Sequence, residues 1–314
     1  PISTYLVSLA VYPYTVWYDE YISSASNNTM PIEHYVFPDR YEGSYANYLL
    51  TKDMMVLFSE QFGEYPFINE KYGHADFGWG GGMEHQTLTS MGGYSQGLIA
   101  HELGHQWWGN LITCKTFHDI WLNEGFARYC QALWVEHQSG EEAYISFMNN
   151  HIYYGEGTIY VENPSLNSDI FISGLSYNKA SWVLHMLRHM VGDSTFFNIL
   201  KSYASNDSLR YNVASTSDFK DVCEDVSGLE LDDFFDQWIY GEKYPKYQVS
   251  WWSEDQDVYK VKIEQLQSTG YFSMPIDIYL VGSHGPLTHD TTFIVNNSGL
   301  SQTYEFSGLD HLVE

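Results

Sequence analysis

The sequence predicts an α+β protein: a largely helical region carrying a small β-sheet, followed by a small β-sandwich. Three observations lead there. Apolar residues recur at helical spacing over Tyr45–Phe62, over Leu122–Trp134 and again through Ala180, Val183, Leu184, Leu187 and Val191. A glycine cluster between Tyr72 and Thr89 sits among strand-like alternations. Beyond Tyr244-Pro245 the helical period stops, and short alternating stretches follow at 247–252, 258–265, 274–280, 291–295 and 303–306. Strands of that length and spacing are what a sandwich needs.

Along the chain, residues 1–16 alternate or run apolar (Tyr5, Leu6, Val7, Leu9, Val11) and read as a strand. Ser23–Asn28 is a polar loop, Ile32–Phe37 a second strand, and Tyr45–Phe62 one amphipathic helix. The stretch from Ala180 ends at Gly192; Ser194 and Ser217 are candidate N-caps, and Gly241 is a stop signal.

At 314 residues and 44% hydrophobic content the chain can bury a substantial core and hold two domains. Forty acidic residues against fourteen basic ones give a net charge of −26, which repels nucleic acid and anionic lipid. Neither is an expected partner. No stretch reaches the roughly 18–20 apolar residues of a membrane span. The acidic excess fits a secreted or periplasmic protein or one from a salty or cold habitat, and a cytoplasmic location is the alternative. Cys114, Cys130 and Cys223 lack metal-site spacing and read as buried free thiols, with room for one disulfide.

The chemistry is concentrated at His101-Glu-Leu-Gly-His105, followed after eighteen residues by Glu124. On a helix His101 and His105 lie one turn apart and can offer ring nitrogens to one metal, with Glu102 displaced around the helix beside it. A glycine at 108 and a histidine at 111 would give another subclass of zinc peptidase; Trp108 and Leu111 stand there, so the third ligand is a carboxylate, Glu124. Three protein ligands leave a fourth position open, as a catalytic zinc requires. One Zn2+ per chain is expected. Such a metal activates water and polarises a carbonyl, and Glu102 is placed as general base and then general acid.

Three runs, His101 to Asn110, Asp119-Ile-Trp-Leu-Asn-Glu-Gly-Phe-Ala127 and Gly81-Gly-Met-Glu-His85, resemble the M1 family of zinc aminopeptidases in order and spacing. Tyr177 to Leu187, Phe235 to Gly241 and Ile2 to Leu6 also resemble segments of that family. The resemblance implies a thermolysin-like, largely helical catalytic domain over 17–244, a β-sandwich domain over 245–314, and residues 1–16 as the end of an upstream β-domain. It implies Tyr177 as the donor to the developing oxyanion. It also implies Gly81, Gly82, Met83 and Glu84 as substrate-binding residues, with Glu84 meeting the free amino terminus. Bare backbone at the two glycines would let a peptide lie against the strand. The chain departs from the family pattern at His85, where Asn is usual, and at Ala180 and Ser181. The implied partner is a peptide with a free N-terminus. The zinc motif alone also fits a thermolysin-like endopeptidase, which has no need of Glu84, and the fold could serve a non-catalytic binding protein.

Overall fold

The computed structural model describes residues 2–255, 258–284 and 287–307. They fall into two compact units, one made of the chain up to Tyr153 together with Ile159–Leu229, the other of Tyr154–Thr158 and the chain from Glu230 on.

In the first unit, strands β1 (Thr15–Ile22), β2 (Thr29–Val36), β3 (Tyr72–Asp76), β4 (Gly82–Met83) and β5 (Thr89–Met91) form one sheet in the order β1-β2-β3-β5-β4. β1 and β2 are an antiparallel hairpin from Thr15↔Val36 to Ile22↔Thr29. β3 joins β2, and β5 joins β3, in parallel, while β4 returns antiparallel to β5. Met30, Ile32, His34 and Val36 turn one face of β2 inward, and β3 is buried along its whole length. That is the burial of a central strand covered on both sides.

The helices of this unit are α1 (Tyr41–Tyr48), α2 (Thr51–Phe62), α3 (Gln96–Gly104), α4 (Trp121–Ser139), α5 (Glu141–Asn149), α6 (Asn167–Ile170), α7 (Ala180–Val191), α8 (Asp193–Ser205) and α9 (Thr216–Ser227). A short parallel pair, β6 (Ile112–Cys114) and β7 (Asn212–Ala214), ties the segment after α3 to the one before α9. α4 runs through the centre: from Trp121 to Trp134 every residue except Arg128 is buried. Its apolar side meets Trp108, Tyr203 and Phe219, with Phe126 5.1 Å from Phe219 and Trp108 stacked on Tyr203 at 5.7 Å. Side chains of that size exclude water from the helix that carries Glu124.

Several expectations are corrected here. The strand expected over 1–16 is absent from residues 2–14: Thr4–Leu6 is a single 3-10 turn and β1 begins only at Thr15. Leu6 is buried, but Val7, Leu9 and Val11 are exposed, so the apolar run has no sheet neighbour. The helix over 45–62 is two helices, broken where Leu50 N–H bonds to Asn47 C=O in a tightened turn. Asp193 opens α8, with Gly192 rather than Ser194 at the cap. Ser215, not Ser217, caps α9, because its hydroxyl and the Asp218 carboxylate form a reciprocal capping box. All three cysteines are buried free thiols.

In the second unit a short helix, α10 (Asp232–Phe235), leads into a π-helical turn, Asp236–Tyr240, that ends at Gly241. The change of pattern in the sequence places the domain boundary after Tyr244; in the structure the stretch from Glu230 packs within this unit, Trp238 lying 4.7 Å from Phe272. Strands β8 (Tyr247–Asp255), β9 (Val258–Gln265), β10 (Met274–His284), β11 (Leu287–Asn297) and β12 (Ser301–Ser307) make a three-stranded sheet, β12-β9-β8, and a β10-β11 hairpin. Val261, Ile263 and Phe306 from the sheet and Ile278 and Leu280 from the hairpin share one core. Two layers closed over a common apolar interior are a small sandwich.

Among the described residues no helix is long and apolar enough to cross a membrane.

Candidate active site

α3 begins at Ser95, whose hydroxyl accepts the Leu98 N–H at 3.2 Å, and carries His101 and Glu102 before ending at His105. α4 brings Glu124 against it. The approach depends on Gly104, where a Cβ would lie 2.7 Å from Cys130 Sγ. The result is a tight set: His101 Nε2 and His105 Nε2 are 3.2 Å apart, and each is 3.3 Å from Glu124 Oε2. A tetrahedral ion with arms of roughly 2.0–2.1 Å spaces its ligand atoms by about 3.3–3.4 Å, so these three atoms fit a zinc-sized cation. His105 Nδ1–H donates to Trp108 C=O at 2.9 Å. That bond sets the tautomer and turns the Nε2 lone pair toward the shared centre.

Glu102 and Glu84 are buried beside this set, 3% and 6% exposed, and each lies within 4.8 Å of His105 through a carboxylate oxygen. One Glu102 oxygen has no hydrogen-bond partner. Three carboxylates in so small a buried volume need a cation. Burial pushes the Glu102 carboxyl up, with Glu84 and Glu124 adding to the shift. Burial also opposes charge on His105, but Glu84 and Glu124 outweigh it and raise that imidazole. These directions describe an acidic pocket organised for positive charge.

The glycine segment reaches the site as β4. A Cβ on Gly82 would fall 2.2 Å from Glu102 Oε1, so bare backbone lies directly against the carboxylate. Gly81 takes φ +86°, a left-handed conformation open to glycine. Beyond Met83 the chain is pinned from the far side of His105: Asn110 Nδ2 donates to Glu84 C=O at 2.8 Å, and Gln106 Oε1 accepts the Thr87 N–H at 3.1 Å. Thr87 itself sits at φ +63°, an uncommon place for a β-branched residue. His85 is turned away to Ser90 Oγ, 2.9 Å distant, and is not part of the ligand cluster.

Tyr177 comes from a π-helical segment, Ser173–Lys179, that leads into α7. Its ring stacks on His101 at 6.0 Å and is half-buried. Burial raises its phenol well above the ordinary tyrosine value, reinforced by Glu124 and Glu84, so the hydroxyl remains a donor. The structure thus brings together His101, His105, Glu124, Glu102, Glu84, Gly82 and Tyr177.

Tyr5, Asn123 and Arg128 were not singled out from the sequence. Asn123 Oδ1 accepts the Cys114 N–H at 3.0 Å while its Nδ2 donates to Tyr5 Oη at 3.1 Å, which fixes the start of α4 one residue before Glu124. Asn123 and Tyr5 lay inside motifs already marked for other reasons; nothing in the order of residues pairs them.

Residues 83–238 match the profile of the Peptidase family M1 domain. This stretch of the chain belongs to peptidase family M1. It is 28% identical over 282 residues to glutamyl aminopeptidase of Rattus norvegicus, an alignment covering 80% of this chain and 29% of that protein. It is 31% identical over 162 residues to aminopeptidase N of Lactococcus lactis subsp. lactis, covering 47% and 19%. The chain therefore spans less than a third of the curated relatives it matches. Among solved structures, aminopeptidase A of Legionella pneumophila in complex with aspartic acid superposes with a TM-score of 0.81 at 16% identity, over 95% of this chain and 36% of that one. An M1 zinc metallopeptidase variant from Deinococcus radiodurans bound to a Tyr-Ser-Ala substrate gives 0.65 at 24% identity, over 74% and 53%. Both share the fold.

Proposed function

We propose that this chain carries the catalytic centre of a zinc aminopeptidase, binding one zinc ion through His101, His105 and Glu124 and releasing residues from the amino end of peptides. The observation that carries the reading is Glu84, a buried carboxylate within 4.8 Å of Glu102 and His105 and set just beyond the ligand trio. An endopeptidase has no use for such a charge; a substrate ammonium does. Zinc at this position supplies Lewis acidity and lowers the pKa of water.

The chain's own residues do the rest. Glu84 meets the ammonium and fixes the first residue. Backbone at Gly81 and Gly82 lies open to the peptide. Glu102, with one oxygen free of other bonds, takes the proton of the attacking water and returns it to the departing nitrogen. Tyr177 Oη donates to the carbonyl oxygen as charge gathers there, an effect typically worth ~10²–10³ in rate. The similarity to glutamyl aminopeptidase and aminopeptidase N supports the same reading.

The test has two arms on the purified chain. Glu102→Gln is expected to keep near one zinc per chain by metal analysis and to lose hydrolysis of a free peptide. N-acetylation of the peptide is expected to abolish cleavage by the unaltered chain. Undiminished cleavage of the acetylated peptide would instead identify an endopeptidase, and a zinc content near zero would remove the metal centre altogether.

A further inference from the structure

Arg128 is four residues beyond Glu124 on α4, so both side chains leave the same face of the helix. Its guanidinium lies 5.9 Å from the centre of the Tyr177 ring, which in turn stacks on His101. Nη1 donates to Gln131 Oε1 at 2.7 Å, and Gln131 Nε2 is anchored to Gly97 C=O at 2.7 Å, so the arm is clamped between α4 and the first turn of α3. Its Nε is buried without a hydrogen-bond partner. No carboxylate among the described residues pairs with it, in a chain with forty of them. Burial pulls its pKa down, with Tyr177 and Glu124 acting the other way without forming a contact pair.

A largely desolvated guanidinium that lacks a carboxylate is costly, and it presents a fork that matches a carboxylate edge. Tyr177 offers too little compensation for a full charge, since cation–π contacts contribute about 0.5–2 kcal/mol. Arg128 is also the one position between Trp121 and Trp134 that is not fully buried, so part of its side chain is open to solvent. Glu84 clusters with His105 and Glu102, whereas Arg128 lies over Tyr177, whose ring stacks on His101. The two charges flank different members of the ligand set. With the substrate amine at Glu84, Arg128 stands outside that cluster and is left for another part of the peptide.

We propose that Arg128 is a specificity-determining residue that binds a carboxylate on the leaving portion of the substrate, either the free C-terminus of a very short peptide or an acidic side chain next to the scissile bond. The proposal rests on the aminopeptidase reading above for the direction in which the peptide lies.

Binding tests it without requiring turnover. In a Glu102→Gln background, calorimetric affinities would be compared for Leu-Ala, Leu-Ala amide and Leu-Asp amide, with and without Arg128→Gln and Arg128→Lys. A charged hydrogen bond of this kind corresponds to roughly 10–100-fold in affinity. The expected result is that at least one carboxylate ligand binds better than Leu-Ala amide by about that factor, that Arg128→Gln brings the ratio near one, and that Arg128→Lys keeps part of it. Preference for Leu-Ala identifies the C-terminus as the source, and preference for Leu-Asp amide identifies a side chain. Equal affinities in the parent would overturn the proposal. So would an equal loss for all three ligands in Arg128→Gln, which would make the residue a support for Tyr177. In the Glu102-intact chain, cleavage of Leu-Ala amide separates the questions: its absence speaks against the aminopeptidase reading, while the binding ratios still decide the role of Arg128.

Discussion

At Gly82 the absence of a side chain has a measurable consequence. The missing Cβ would stand 2.2 Å from Glu102 Oε1 and 2.5 Å from its Cδ. What it would meet is the far end of a flexible side chain, so Gly82→Ala should fold and hold zinc while the Glu102 carboxylate moves aside. Displacing a catalytic group by about 1 Å can cost ~10²-fold in rate. We expect kcat to fall by about that factor with metal content unchanged; a kcat near that of the parent would show that Glu102 has other productive positions. The sequence marked Gly82 through a motif, and the glycine was legible there as bare backbone for a peptide. Its contact with Glu102 was not, because two residues twenty apart in the chain meet only through the pairing of β4 with β5 and the packing of α3. Arg128 was harder still. An arginine on an amphipathic helix ordinarily reads as a solvated residue, and only the burial of its neighbours on α4 shows otherwise.

At the scale of elements, the site depends on how closely three helices approach. Gly125, beside Glu124, faces Ala180 at the start of α7, and a Cβ on it would lie 2.5 Å from the Ala180 Cβ. Neither helix can yield without moving a site residue, since Tyr177 lies three residues before α7 in the π-helical segment that leads into it. Gly125→Ala is expected to destabilise the chain by about 1–3 kcal/mol through overpacking. Adding Ala180→Gly removes the clashing atom and should recover part of that loss, although a helical glycine itself costs roughly 1 kcal/mol. Chemical denaturation of the two single variants and the double variant would show a favourable coupling; simple additivity would mean the helices move apart freely. The existence of these helices was legible from their apolar period. Their ends were less so. No glycine or proline marks the break between α1 and α2, and the cap of α9 was misplaced by two residues because Ser215 and Ser217 look alike until Asp218 is seen to reach back to Ser215.

For the whole molecule, pH connects the acidic composition to the stability of the sheet. His34 on β2 and His74 on β3 are fully buried opposite one another, their Nδ1 atoms 3.0 Å apart, so one ring must donate and the other accept. The rings are walled in by aromatic neighbours, Trp17 stacking on His34 at 3.8 Å and Tyr48 on His74 at 4.3 Å. Burial depresses His34 to about 3, with Asp19 opposing only weakly, and depresses His74 well below its usual value, with His34 adding to the effect. The unfolded chain therefore takes up protons on these residues near pH 6.5 while the folded chain refuses them. Their stability contribution is complete above about pH 6.5 and is lost as pH falls from there toward the folded-state values. Well below pH 6.5 each such group costs about 1.4 kcal/mol per pH unit. The 40 carboxylates add their own acid dependence, so the decisive quantity is a difference between variants. His74→Gln removes one titrating ring and leaves His34 in place. Denaturation between pH 6 and pH 4 should show a slope shallower by about 1.4 kcal/mol per unit in His74→Gln than in the parent chain, even though the variant begins less stable at pH 7 from the altered packing. Parallel slopes would mean that His74 already carries a proton in the folded sheet, and with it that the paired imidazoles share a charge that the surrounding aromatic rings tolerate.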